Sequence, residues 1–154
     1  MPTIKKVIAG KKAKYSGIRF EEFLKSCAYK QKWEVIQIPS GCRSLGRNKL
    51  IRVATPFDFV FAKQGKCLFI DAKSTTAKSF SKSMITPHQA LSLSMVEKQG
   101  FYAGYIVNFS NLNKIVFFSA RHLLETRINE SLCYKQGVII GDSKRIDLDM
   151  FFVT

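Results

Sequence analysis

Phe20, Phe23, Leu24 and Cys27 recur at i, i+3, i+4 and i+7, the spacing of one apolar stripe, and predict an amphipathic helix over residues 17–29. Ser16 stands where a helix cap would stand. Residues 1–16 are basic, contain Pro2 and Gly10 and show little periodicity, so they read as a flexible arm. Residues 33–38 alternate loosely as a first strand. Residues 39–54 gather Ser, Gly, Arg, Asn and Lys into a polar basic loop, with a short strand at 50–53. Two strongly apolar runs follow, 57–62 and 67–73, separated by Lys63-Gln64-Gly65-Lys66. A Gln-Gly pair can make a two-residue turn, and the runs predict a β-hairpin.

Residues 74–85 are mostly Ser, Thr and Lys with little hydrophobic order. Thr86-Pro87-His88-Gln89 then opens a second helix, with Thr as its cap and Pro at the first helical position. Leu91, Leu93, Met95 and Val96 continue it and Gly100 ends it. The nearly unbroken apolar run 101–109 suits a buried strand, residues 115–118 a further strand and residues 119–128 a third helix. Residues 138–153 form a weakly defined strand or extended closure. The predicted order is helix, strand, hairpin, helix, strand, strand, helix.

The hairpin carries the candidate chemistry. If Ala62 faces Cys67, counting back sets Asp58 opposite Asp71, with Cβ atoms roughly 4.5–5.5 Å apart on one sheet face. Two carboxylates that close repel each other, and a divalent cation between them removes the repulsion. Lys73 lies two positions after Asp71 and so on the same face. The competing reading is a structural carboxylate–lysine pair, which leaves the second carboxylate unexplained. Oxygen ligands, a water made nucleophilic and a cation beside the reacting charge are what phosphodiester hydrolysis needs. Glu21 follows Phe20 on the first helix and reaches the sheet end if that helix packs on its Phe20 face; otherwise it is an exposed helix acid. Gln89, in the first turn of the second helix, is either an amide for a phosphate or a metal-bound water, or a surface glutamine. His88 has no Ser or Cys partner and reads as a capping or surface residue.

Composition narrows the partner. With 154 residues, 46% of them apolar, and 13 Phe, the chain can fill one core, and residues 17–154 are expected to form a single domain. Lys and Arg outnumber Asp and Glu by 25 to 11, a net charge of +14, which points to a polyanion. No acid precedes Glu21, and Lys11, Lys12, Lys14, Arg43, Arg47, Lys49 and Arg52 lie in segments without core periodicity, available to phosphates. A basic nucleic-acid-binding protein without catalysis is the alternative class, but binding has no need of opposed aspartates, which repel phosphate. Cys27, Cys42, Cys67 and Cys133 show no CxxC or Cys/His pattern; they suggest buried thiols in a reducing compartment and no zinc site. No run approaches the ~18 apolar residues of a membrane span. The expected location is the cytoplasm, or the nucleoid in association with DNA.

In order and spacing, Gly17-x-x-Phe20-Glu21, Asp58, Asp71-Ala72-Lys73-Ser74-Thr75 and His88-Gln89 resemble the PD-(D/E)XK nuclease superfamily and, within it, the RecU-type Holliday junction resolvases. The resemblance spans roughly residues 17–118. It implies an α/β fold in which a mixed sheet is flanked by helices around a restriction-endonuclease-like core. It also implies a homodimer with two active sites and Mg²⁺-dependent cutting of four-way DNA junctions, with Mn²⁺ as a substitute. Carried over residue by residue, it makes Asp58, Asp71 and the Ala72 carbonyl metal ligands, Glu21 a first-helix acid at the metal, Lys73 the catalytic lysine and Gln89 an accessory polar group. The sequence departs from the superfamily in placing Phe57 between Pro56 and Asp58, and in having Asp71 where Glu is commoner. A restriction or repair endonuclease of the same fold would carry the same residues.

Overall fold

The computed structural model describes residues 4–39, 41–127 and 130–152, with the side chains of residues 4–15, 42, 43 and 52 outside the description. Its first helix, α1, runs Ile4–Lys30 over 27 residues. The expected break at residue 16 is therefore no change of backbone conformation: residues 4–16 are helical, and Ser16 lies inside the helix. Lys and Ala are good helix formers, and only Gly10 opposes them between Ile4 and Ser16. A helix already nucleated by a packed segment extends through such residues without an apolar stripe of its own. The stripe itself is where the spacing put it, with Phe20, Leu24, Cys27 and Ala28 buried.

β1 (Glu34–Gln37) follows. The loop expected over residues 39–54 is more ordered than its composition suggests: β2 (Cys42–Ser44) pairs antiparallel with β3 (Leu50–Arg52). Left-handed Gly46 and Asn48 turn the chain between them. β4 (Phe59–Lys63) and β5 (Lys66–Thr75) form the predicted hairpin. Gln64 and Gly65 take φ of 49° and 78°, the two-residue turn whose twist matches that of paired strands. Ala62 pairs with Cys67 as counted. β6 (Ser79–Ser81) and a 3₁₀ turn at Lys82–Met84 occupy the segment that showed no hydrophobic order. Next come α2 (Pro87–Lys98), β7 (Tyr102–Phe109), β8 (Lys114–Ser119), α3 (Ala120–Glu125), β9 (Ser131–Cys133) and β10 (Val138–Gly141).

Six strands form the main sheet in the order β1-β4-β5-β7-β8-β10, and β6 pairs with β9 apart from it. Only β5 and β7 run parallel; α2 makes the crossover that a parallel pair requires. Side-chain alternation divides the apolar residues between two layers. On one face α1 and the C-terminal segment cover Phe59, Phe61, Leu68, Ile70 and Ile106. On the other, Leu93 of α2 and Leu123 of α3 cover Ala103, Tyr105, Val107 and Phe118.

The C-terminal closure fastens the end of α1. The Gln31 side chain donates to the Ile146 carbonyl and accepts from the Leu148 N–H. Trp33 Nε1 and Lys63 Nζ both donate to Asp149 Oδ1, at 3.0 and 2.7 Å. The Lys63 ammonium holds the Asp149 carboxyl below the ordinary carboxylate range. These bonds seat α1, and with it Glu21, on the sheet.

β7 and β8 approach so closely at Gly104 that an added Cβ would stand 2.1 Å from the Phe118 carbonyl oxygen. Backbone cannot yield there as a side chain could. Gly104→Ala is expected to destabilise the protein by at least the roughly 1–3 kcal/mol of an overpacked core. A thermal melt reads this directly, and an unchanged midpoint would mean that the two strands separate at little cost.

Candidate active site

Thr86 caps α2, its hydroxyl accepting from Gln89 N at 3.2 Å while Gln89 Oε1 accepts from Thr86 N at 3.4 Å. This reciprocal capping box uses the amide oxygen. It leaves Nε2 to donate to Asp71 Oδ1 at 2.8 Å. The Lys73 ammonium lies 2.9 Å from Asp71 Oδ2 and 3.4 Å from Gln89 Oε1. Both donors that reach Oε1 need an oxygen there, so the amide has one orientation only. Gln89 is buried, and its reading as a surface glutamine is set aside. His88, next to it, is exposed.

Asp58 departs from the expected register. The β4–β5 ladder ends at Phe59 opposite Ile70, and the Asp58 N–H also donates to the Ile70 carbonyl, at 3.0 Å. Two residues of one strand thus stand against one of the other, as in a β-bulge, and the bulge turns Asp58 out of line with Asp71. The Asp58 carbonyl accepts from Ile38 N and its Oδ2 accepts from Ala72 N, both at 2.8 Å. The N–H and C=O of a strand residue point to the same side, so the Ala72 carbonyl also faces the gap that β4 leaves. The two carboxylates remain neighbours although their backbones are not paired, for the Asp58 charge acts on Asp71.

Asp71 is 0% exposed. Burial, and then the Asp58 charge, push its pKa up to about 7 against the opposing pull of Lys73. Its Oδ2 makes no well-formed hydrogen bond, although the Lys73 ammonium stands at ion-pair distance. Glu21 is half-buried, and its pKa is raised first by burial and then by Asp58. Glu21, Asp58, Lys73 and Gln89 line one cleft of about 730 Å³, together with Gly17 and Ile18 of α1, Gln37, Thr55 and Thr86. α1 and α2 cover opposite faces of the sheet, and residues of both line the cleft at this end of it.

Among the described residues no three His, Cys, Asp or Glu side chains converge closely enough to hold a metal ion by themselves. The donors at hand are two carboxylates and a backbone carbonyl, all hard oxygens of the kind a small divalent cation takes with water completing the shell. A buried carboxylate oxygen short of hydrogen bonds fits that use. Arg47 and Lys49 are exposed at the turn and at the β3 end of the β2–β3 ribbon. The side chains of Lys11, Lys12, Lys14, Arg43 and Arg52 lie outside the described residues. Sequence reading took Thr86 for a cap alone and passed over Gln37 and Tyr105; no pattern distinguishes a strand Tyr beside a site from one in the core.

A mixed sheet flanked by helices, with a buried Asp-x-Lys strand facing a helix amide, is the architecture of a nuclease core. The 1.6 Å structure of Archaeoglobus fulgidus Hjc, a Holliday junction resolvase from an archaeal hyperthermophile, shares the fold with a TM-score of 0.58 and 19% identity, over 80% of this chain and 96% of that one. A comparison with curated protein sequences returned no match. The model of the RecU family, recombination protein U, matches residues 22–140. That is well over half of the chain, which therefore belongs to the RecU family of Holliday junction resolvases. The matched span includes Asp58, Asp71, Lys73 and Gln89; Glu21 falls one residue before it.

The raised Asp71 pKa fixes a pH dependence of stability in metal-free protein. An unfolded Asp releases its proton near 3.8, the folded one near 7. Between these values the native state holds more protons than the unfolded state, so the Asp71 contribution falls as pH rises. With EDTA present, the melting difference between Asp71→Asn and the parent should move in the variant's favour from pH 4 to pH 8. A difference that stays flat, or moves the other way, would show that Asp71 is ionised and comfortable in the fold.

Proposed function

We propose that this resolvase is a Mg²⁺-dependent endonuclease acting as a homodimer on four-way DNA junctions. In this reading Asp58, Asp71 and the Ala72 carbonyl hold the cation, Glu21 is a further acid beside it, and Mn²⁺ can take its place. The observation that carries the reading is the wholly buried Asp71, flanked by a second carboxylate and by Lys73 and Gln89 at 2.9 and 2.8 Å. A structural ion pair needs neither the second acid nor an open cleft. Bound there, a divalent cation supplies Lewis acidity toward a phosphoryl oxygen and a more acidic water. Gln89 fixes the Asp71 carboxylate, and Asp58, held on the Ala72 N–H, supplies a second carboxylate near it. Lys73, 20% exposed at its side chain, is the group placed to stabilise charge that develops on the phosphate. Without a cation the two aspartates repel the phosphate backbone, which couples cutting to metal. A four-way junction offers two strands for symmetric cutting, and a twofold dimer matches them.

Labelled four-way junction and linear duplex, incubated with and without Mg²⁺, test the reading: junction-selective cutting that requires the metal is expected. Cutting of neither substrate under either condition refutes it. Asp58→Asn and Asp71→Asn are each expected to abolish cleavage while leaving junction binding intact or tighter, since each removes negative charge near phosphate. Lys73→Ala should lose about 10²-fold or more in turnover with binding retained, the order seen when one such electrostatic group is removed. Unchanged turnover with weakened affinity would make Lys73 an ordinary phosphate contact.

Lys11, Lys12, Lys14, Arg43, Arg47, Lys49 and Arg52 supply the affinity for DNA in this proposal. Each phosphate neutralised should steepen the fall of log affinity with log salt by roughly 0.9. The double variant Arg47→Ala/Lys49→Ala, both residues exposed on the β2–β3 ribbon that leads into the cleft's Val53–Thr55 wall, should flatten that slope. A greater loss on junction than on duplex is expected; equal losses would leave the ribbon a nonspecific clamp.

A further inference from the structure

Behind the cleft, the sheet holds a second buried polar group that the chemistry above does not use. Tyr105 of β7 is the residue paired with Asp71 across the parallel β5–β7 ladder. Paired residues point to the same face, here the face covered by α2 and α3. Tyr105 is 1% exposed, packed in the apolar cluster with Leu93 and Phe118, its ring 6.4 Å from that of Phe80. Among the described residues its hydroxyl has no hydrogen-bond partner. A buried hydroxyl left in that state costs about 1–3 kcal/mol, so a phenylalanine would be the cheaper residue if packing were its only task. Asp71 Oδ2, the neighbour on the same face, also lacks a well-formed hydrogen bond.

We propose that the Tyr105 hydroxyl is a positioning group for Asp71, donating through one bound water to the carboxylate and so setting how tightly the site holds its divalent cation. One water has the donors and acceptors to satisfy both orphaned atoms, and buried waters occur where two or more such atoms face one space. Lys73 and Gln89 hold the carboxylate from its own strand and from α2; the hydroxyl holds it from the β7 side. The Asp71 charge is also the one charge that, after burial, disfavours ionisation of Tyr105, which keeps the phenol a donor. Partners one step beyond a ligand typically matter by 10–100-fold in metal affinity.

The inference rests on the metal-site reading of Asp58 and Asp71, and the experiment separates the two. Mn²⁺ alone is titrated into the parent, Tyr105→Phe and Asp71→Asn without DNA, followed by its spin signal, and each is melted in EDTA. Tyr105→Phe should bind Mn²⁺ about 10-fold more weakly while melting no lower than the parent, because the water-bridged hydrogen bond that is lost is offset by the desolvation cost of a buried hydroxyl that phenylalanine does not carry. Equal Mn²⁺ affinity in Tyr105→Phe and the parent, with Asp71→Asn impaired, overturns the role of Tyr105 and keeps the site. A weakened affinity accompanied by a lower metal-free melt assigns the hydroxyl to packing and likewise overturns it. A parent that binds no Mn²⁺, or an Asp71→Asn that binds it as the parent does, removes the metal site and the proposal together.

Discussion

A wholly buried carboxylate sits in this sheet, and the arrangement around it follows from the cost of keeping it there. An isolated buried charge is prohibitive, and a protein answers with neutralisation, pairing or hydrogen bonds. Asp71 receives all three in part: its proton is held to about pH 7, Lys73 pairs with one oxygen and Gln89 bonds the other. Each answer constrains an element. Lys73 must lie on the same strand face, which β5 guarantees by continuing to Thr75. Gln89 must present its Nε2, which the capping box guarantees by occupying its oxygen. The residue that starts α2 is thus also the residue that ties α2 to β5.

The topology supplies what local chemistry cannot. β5 is antiparallel to β4 and parallel to β7, so one side of it meets a hairpin partner and the other a crossover. The crossover helix must return to the start of β7, and its own first turn is left near the end of β5. This is how Gln89, 18 residues after Asp71, comes within 2.8 Å of it. On the hairpin side, β4 stops at Phe59 while β5 runs on. The strand edge exposed by that mismatch is filled by the Asp58 carboxylate on the Ala72 N–H. A longer β4 would have satisfied the same N–H with backbone and left no acid at the site.

Much of this was legible in the chain, and the failures share a cause. The hairpin register at Ala62–Cys67, the Thr86 cap, Pro87 at the helix start and the Gly100 stop depend on a few adjacent residues, and period or turn chemistry reads them correctly. Asp58 was placed by extending that register one step too far, past a bulge that only the meeting of Ile38, Asp58 and Ile70 creates. The short strand at 50–53 is legible as β3, but its partner β2 and the β6–β9 pair are not, because strands of three residues carry no alternation strong enough to see. Gln89 could be given a site role only through the resemblance, its own segment leaving a surface glutamine open, because its burial is decided by Asp71, far away in sequence. Residues 4–16 looked like an arm because lysine-rich helix has no apolar period, yet it needs none to continue a helix seated further on.

That extension changes the geometry available to the basic N-terminus. Glu21 enters the cleft from α1, while Lys73 and Gln89 enter from the opposite layer, and α1 is held to the sheet by its apolar stripe and, at Gln31 and Trp33, by the C-terminal closure. The same fastening sets the direction in which α1 leaves the sheet beyond Gly17. At 1.5 Å of rise per residue the Lys11 backbone lies about 15 Å along the helix from Glu21. A duplex turn is about 34 Å long, so this distance is close to half a turn. Positions carried on a helix keep that distance from the cleft, whereas an unstructured arm would sample many, so in the proposed reading α1 itself sets how far the basic positions stand from the cleft.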